Sequence, residues 1–323
     1  MRRPPFPTEG LASMSARRPT VSIQEFPVSD AEAGPYGIAA GPDGALWFTL
    51  VHAGRIGRLT PDGETTSYAL ASASGGPSLI TPGPDGALWF TEFREHRIGR
   101  ISTAGEATSF ALPTPDAGPF GIAVGPDDAL WFTEAGADRI GRITTEGEIV
   151  EFPLPVSGAF VSAIAAGRDG RLWFTMNQAN AIGAIAPDGE VTVHPLPTPG
   201  AGPVGITAGG DGALWFVEIG AGQIGRITPD GKIDEFPLPD RESRPHAIVA
   251  DADGACWFTE WGANRVGRIT YDDRHPEAPE IHEHELPTPS SEPHGIALGP
   301  DGALWTALET GAVARVRPSG NAG

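Results

Sequence analysis

The stretch Gly118–Leu154, GPFGIAVGPDDALWFTEAGADRIGRITTEGEIVEFPL, decides the fold. Phe120–Gly125 is short and apolar, and Pro126-Asp127-Asp128 is turn chemistry. Ala129–Glu134 is rich in β-formers. After a second turn at Ala135–Asp138, Arg139–Thr144 alternates polar and apolar residues. Thr145-Glu146-Gly147 turns again, and Glu148–Phe152 alternates once more before Pro153. Period-two alternation bounded by Gly, Asp and Pro marks strands, and no segment carries a helical period of useful length. Four short strands are expected.

The same pattern recurs along the chain. Trp47, Trp89, Trp131, Trp173, Trp215 and Trp257 stand 42 residues apart, and Trp305 follows after 48. Four strands per unit of this length is the propeller-blade pattern. The expected fold is all-β, a seven-bladed β-propeller of four-stranded blades, with each tryptophan packed between blades. The glycine of each R-I-G-R is expected where neighbouring backbones approach closely. The seventh unit stops near Val316 without a fourth strand, whereas Val21–Pro27 (VSIQEFP) resembles one. The N-terminal strand is therefore expected to complete the last blade and remove its free edge. Residues 1–19 lack an apolar signal region and read as a disordered tail, with Met14 an alternative start. Residues 20–317 form one domain, and residues 318–323 a second tail.

Composition narrows the function. The net charge of −19 disfavours nucleic acid and anionic membranes. The 44 glycines and 33 prolines recur at fixed repeat positions, which is turn chemistry rather than low complexity. The single cysteine, Cys256, excludes an internal disulfide and allows a reducing compartment. No apolar run reaches the roughly 18 residues of a spanning helix. A cytoplasmic monomer is expected, because a closed ring has no edge demanding a partner.

The repeat also aligns the chain against itself. Eleven residues before each repeat tryptophan stand Tyr36, Ser78, Phe120, Ser162, Val204, His246 and His294. Thirteen before stand Gly34, Gly76, Gly118, Phe160, Gly202, Arg244 and Glu292; four after stand Val51, Phe93, Ala135, Asn177, Ile219, Trp261 and Glu309. Histidine appears only in the last two blades of the first column, and an acid only in the last blade of the other two. Both strand ends lie at one mouth of the ring. A two-residue turn at Asp301-Gly302 would set His294 across from Glu309, within reach of its carboxylate, and Glu292 on the same side as His294. By contrast Glu92, Glu134, Glu218 and Glu260 recur three residues after the tryptophan and read as structural, paired with repeated arginines or backbone donors. His275, His282 and His284 fall in an acidic insertion, Tyr271–His284, read as a solvated loop. His52, His96 and His194 share no column and receive no role.

Two adjacent carboxylates repel unless protonated or bridged by a cation. Oxygen donors with room for water suit a hard ion such as Mg²⁺, and a histidine titrating near neutrality suits a general base. No serine or cysteine nucleophile accompanies them, which disfavours acyl transfer. Metal-assisted proton abstraction and metal-assisted water attack both remain.

The repeats G-P-Y-G-I, A-L-W-F-T-E and R-I-G-R-I-T, with R-P-H-A-I at Arg244–Ile248, E-P-H-G-I at Glu292–Ile296 and L-E-T at Leu308–Thr310, resemble the virginiamycin B lyase (streptogramin B lyase) family over about residues 20–317. The resemblance implies a lyase that linearises type B streptogramin cyclic depsipeptides by β-elimination of the ester C–O bond, conferring antibiotic resistance. It implies His294 as base, Glu292 and Glu309 as Mg²⁺ ligands, His246 as a substrate contact and Tyr36 packed on the cyclic peptide. The departures are the insertion and Thr306, where the family carries phenylalanine. A metal-dependent lactonase and a non-catalytic ligand-binding propeller are the competing functions.

Overall fold

The computed structural model describes residues 20–272, 274–275 and 279–318. The expected tails lie outside them, except that Pro318 ends a strand. Seven four-stranded antiparallel sheets form the ring. The first strands of successive blades touch, and that of blade seven touches that of blade one. The one helix among the described residues is a single 3-10 turn, Ala31–Ala33.

Blade three shows how the repeat folds. Its strands are Pro119–Val124, Leu130–Glu134, Arg139–Ile143 and Ile149–Pro153. Trp131 is fully buried. Its indole N–H donates to Asp127 of the preceding turn at 2.9 Å, and Phe152 of the fourth strand stacks on it at 5.5 Å. Asp127 also accepts from Arg142 at 2.6 Å. One turn aspartate thus satisfies the only polar atom of a core tryptophan and holds a cation over the sheet. Blades are riveted by threonine: Thr133 Oγ1 accepts from Gly121 N at 2.8 Å and donates to Ser162 O of the next blade at 2.6 Å.

The tryptophan plate in the fourth strand is Tyr68, Phe110, Phe152, His194, Phe236 and His284 in blades one to six. His194 and His284 therefore serve as partly buried aromatic plates. His282 and His284 stand on the strand Glu280–Glu285, not in a loop, which corrects the solvated-loop assignment for those two. Thr270 pairs with Glu280 in the ladder that this strand forms with Arg265–Thr270.

The R-I-G-R glycine has a different cause from the one expected. A Cβ on Gly141 would come within 2.1 Å of the Phe132 ring of its own blade. The glycine makes room for that ring rather than for a neighbouring backbone. In blade seven the pair opposite one another is Thr306 and Ala314. The smaller Thr306 leaves space for the alanine methyl, so the departure at Thr306 is one half of a compensated exchange.

The recurrent glutamates are buried, and Glu134, Glu218 and Glu260 are fully so. Arg97, Arg139 and Arg265 stand opposite Glu92, Glu134 and Glu260 in the ladder, where Gln223 stands opposite Glu218, but the Glu134 and Glu260 oxygens accept no hydrogen bond among the described residues, unlike the pairing expected. Burial, reinforced by Glu151 against the opposing Arg139, pushes Glu134 up to about 8. Glu218 and Glu260 are likewise pushed up to about 8 by burial.

Val21–Pro27 pairs along Ala312–Pro318 from Val21↔Pro318 to Pro27↔Ala312 and supplies the fourth strand of blade seven. Phe26 fills the plate position over Trp305 at 5.5 Å. Glu25 accepts from Thr288 N of blade six at 3.1 Å, the clasp that Glu151 makes with Thr114 and Glu235 with Thr198. The closure expected from sequence is present.

Candidate active site

Each blade carries an irregularity at the same place. In blade seven the register shifts between Pro293 and Ile296. The turn behind it holds three residues, Pro300–Gly302, between the hydrogen-bonded Gly299 and Ala303. This corrects the two-residue turn and the direct pairing of His294 with Glu309. The main chain of Glu309 instead donates to Glu292 O at 3.2 Å, and His294 lies in the bulge. A bulge re-aims a side chain out of the ladder alternation. Here it turns His294 onto the Glu309 carboxylate, Nε2 to Oε2 2.6 Å. The expected contact therefore exists, by a different backbone route. Thr259 Oγ1 of blade six donates to His294 O at 2.8 Å and fixes the strand.

The other expected residues converge. The Tyr36 ring lies 4.5 Å from that of His294, and the His246 ring 4.8 Å from it. Tyr36 Oη and His246 Nε2 are 3.2 Å apart, so blades one, six and seven meet across the channel. Glu292 stands just before the His294 strand with a left-handed φ of 51°. Its charge acts on His294.

Electrostatics follow from this crowding. Burial pushes His294 below the usual histidine range against the opposing pull of Glu309. Burial, then His294, pushes His246 down to about 3. Burial raises Tyr36, and the Glu309 charge adds to it. Burial raises Glu309 as well, but hydrogen bonds with His294 and His52 outweigh it and leave it below the carboxylate range. At neutral pH the site holds two neutral imidazoles, a neutral phenol and an ionised Glu309.

His52 was not assigned from sequence. Its Nε2 lies 3.1 Å from Glu309 Oε1, across the seam between blades one and seven. It is the only histidine five residues after a repeat tryptophan, where Arg94, Gly136, Gln178, Gly220, Gly262 and Thr310 stand otherwise; that column carried the signal. Trp261 and the apolar residues Phe93, Phe120 and Phe160 were also missed. Trp261 sits 6.3 Å from the His294 ring. The phenylalanines line a cavity of about 300 Å³ with Tyr36, His294 and Glu309. A larger cleft of about 840 Å³ on the outer rim runs between Val21 and the strand Glu280–Glu285, away from this chemistry.

The donor set fits a hard cation. Glu292 and Glu309 are neighbours at one strand end through their main chains, and the Glu309 side chain is 30% exposed, its two oxygens meeting His52 and His294. Among the described residues no group of three or more His, Cys, Asp or Glu encloses an ion. Water or substrate would complete the shell, as Mg²⁺ prefers. No helix among the described residues is long and apolar enough to cross a membrane.

Known proteins share this fold. The model of the virginiamycin B lyase family matches residues 21–316. The virginiamycin B lyase of Saccharopolyspora erythraea is 66% identical over 55 residues, 17% of this chain, and that match spans 18% of the relative's length. A solved streptogramin B lyase is 42% identical, covers 93% of this chain and 98% of its own, and superposes with a TM-score of 0.88. A Staphylococcus aureus virginiamycin B lyase was solved as a catalytically inactive histidine-to-alanine variant with quinupristin. It is 43% identical over 92% of this chain and 99% of its own, with a TM-score of 0.87. A seven-bladed ring with these matches defines a propeller of the carbon–oxygen lyase class. The chain belongs to the virginiamycin B lyase family.

Proposed function

We propose that this protein linearises type B streptogramins by β-elimination and so confers resistance to them, acting as a cytoplasmic monomer built from the single unit of residues 20–317. The observation that carries the reading is the 2.6 Å contact of His294 Nε2 with Glu309 beneath an apolar cavity. The inactive histidine variant of the S. aureus relative, held with quinupristin, supports a histidine-dependent reaction on a cyclic depsipeptide.

In this reading His294 is the base. Burial keeps its ring neutral, and Nε2 turns from the Glu309 oxygen to the substrate proton α to the carbonyl. The α C–H bond breaks, a Cα=Cβ double bond forms, and the β-oxygen leaves as a carboxylate. Glu309 then faces the imidazolium and stabilises it. Glu292 and Glu309 would hold Mg²⁺, which as a Lewis acid lowers the acidity barrier at the α-carbon. His246 and Tyr36 contact the bound ring, and their neutral state avoids burying charge against it. No nucleophile is required for this step.

Mass spectrometry of the product of a type B streptogramin tests this. Elimination leaves the mass unchanged. A product heavier by one water assigns a lactonase instead, and an intact depsipeptide in the presence of Mg²⁺ assigns a binding propeller. EDTA should abolish turnover and excess Mg²⁺ restore it; activity that survives chelation removes the metal.

A further inference from the structure

One backbone position at the mouth is left-handed in every blade: Gly34 at φ 64°, Gly76 at 60°, Gly118 at 57°, Phe160 at 47°, Gly202 at 61°, Arg244 at 52° and Glu292 at 51°. Glycine takes this conformation freely, and other residues hold it under strain that clusters at functional sites. Three blades accept the strain. Arg244 has a partner within the chain, its guanidinium lying 5.5 Å from the Trp261 ring. Glu292 stands in the carboxylate pair. Phe160 has neither. It is 38% exposed and belongs to no buried apolar cluster. Exposure of a large apolar ring and a left-handed backbone are two separate penalties, and among the described residues no buried apolar cluster takes up the ring.

Phe160 lines the same cavity as His294, on the wall with Phe93, Phe120, Val51 and Tyr36. Of the polar side chains that line that cavity, which also include Ser78 and Arg94, His52 and His294 are each hydrogen-bonded to Glu309. An amphiphilic ring, with an ester on one side and apolar side chains on the other, matches such a cavity.

We infer that Phe160 is a specificity-determining residue, covered by an apolar side chain of the cyclic depsipeptide when its ester sits at His294. This rests on the lyase reading above and adds the face by which the substrate is chosen.

The test uses Phe160→Gly, which restores the residue found in four other blades, with quinupristin as probe. Affinity is measured by calorimetry in the His294→Ala background, and KM and kcat in the otherwise unaltered protein. The expected result is affinity weaker by about tenfold, a matching rise in KM, little change in kcat, and a melting temperature no lower than before. Phe160→Leu should retain most of the affinity. Unchanged affinity overturns the proposal, as does a loss accompanied by a fall in melting temperature, since the ring would then be structural. If quinupristin binds but is not turned over, and Phe160→Gly still weakens it, the lyase reading fails while the contact stands. If turnover is normal and both KM and affinity are untouched by Phe160→Gly, only the contact fails. No binding at all overturns both.

Discussion

His294 answers to two neighbours through different atoms. Its carbonyl oxygen is held by Thr259 Oγ1 of blade six, while its ring meets Glu309 of its own blade. Strand placement and chemistry are thereby separated. His294→Ala should keep the fold, because the threonine rivet reaches only the main chain of His294, and should cut turnover by about 10²–10⁴-fold, the usual contribution of a positioned base. Circular dichroism and a steady-state assay on the same sample check this; full activity in the variant removes the base. The residues of the site differed in how readable they were. His246, His294, Glu292 and Glu309 stood out because each breaks a column. His52 breaks one too, but as the neighbour of a position already occupied by Val51. Phe93 and Phe120 could not stand out, because an apolar residue at a strand end reads as core until the cavity beside it is known.

At the level of the strand and the turn, period-two alternation and Gly/Asp punctuation sufficed to place all four strands of each blade. What escaped was register. The turn Pro300–Gly302 and the bulge after Pro293 each displace pairing, and neither leaves a mark in polarity alternation. The blade hairpins also bury carboxyls, and this has a measurable consequence. Glu134, Glu218 and Glu260 hold their protons in the fold up to about 8, whereas a carboxyl in the unfolded chain releases its own near 4.5. The folded protein therefore binds more protons between those values, and its stability falls as pH rises through that window. The slope is up to about 1.4 kcal/mol per pH unit for each such group. Glu134→Gln together with Glu218→Gln should flatten the decline in denaturant midpoint between pH 5 and about 8. A decline that persists unaltered in the double variant would place its origin elsewhere.

For the whole molecule the decisive element is the strand Val21–Pro27. It closes the ring, covers the edge of Ala312–Pro318, sets Phe26 over Trp305 and clasps Thr288 through Glu25. Removing residues up to Pro27 should expose that edge and destabilise the blade that holds Glu292, His294 and Glu309. Size-exclusion chromatography should report self-association, and turnover should vanish. A monomeric, active truncation would mean that the ring holds without its closing strand.

Blade seven draws its strands from both ends of the chain, and Tyr36, which packs on His294, comes from blade one. On the ribosome, six blades can form in order as they emerge. The seventh must wait for Ala312–Pro318 to be synthesised before Val21–Pro27 has anything to pair with. A closure over such sequence distance is slow, and the residues proposed to react are assembled by it. A chain that stops short of Ala312–Pro318 would lack the strand that Val21–Pro27 pairs with, so activity in the cell should report passage of synthesis through that strand as well as folding.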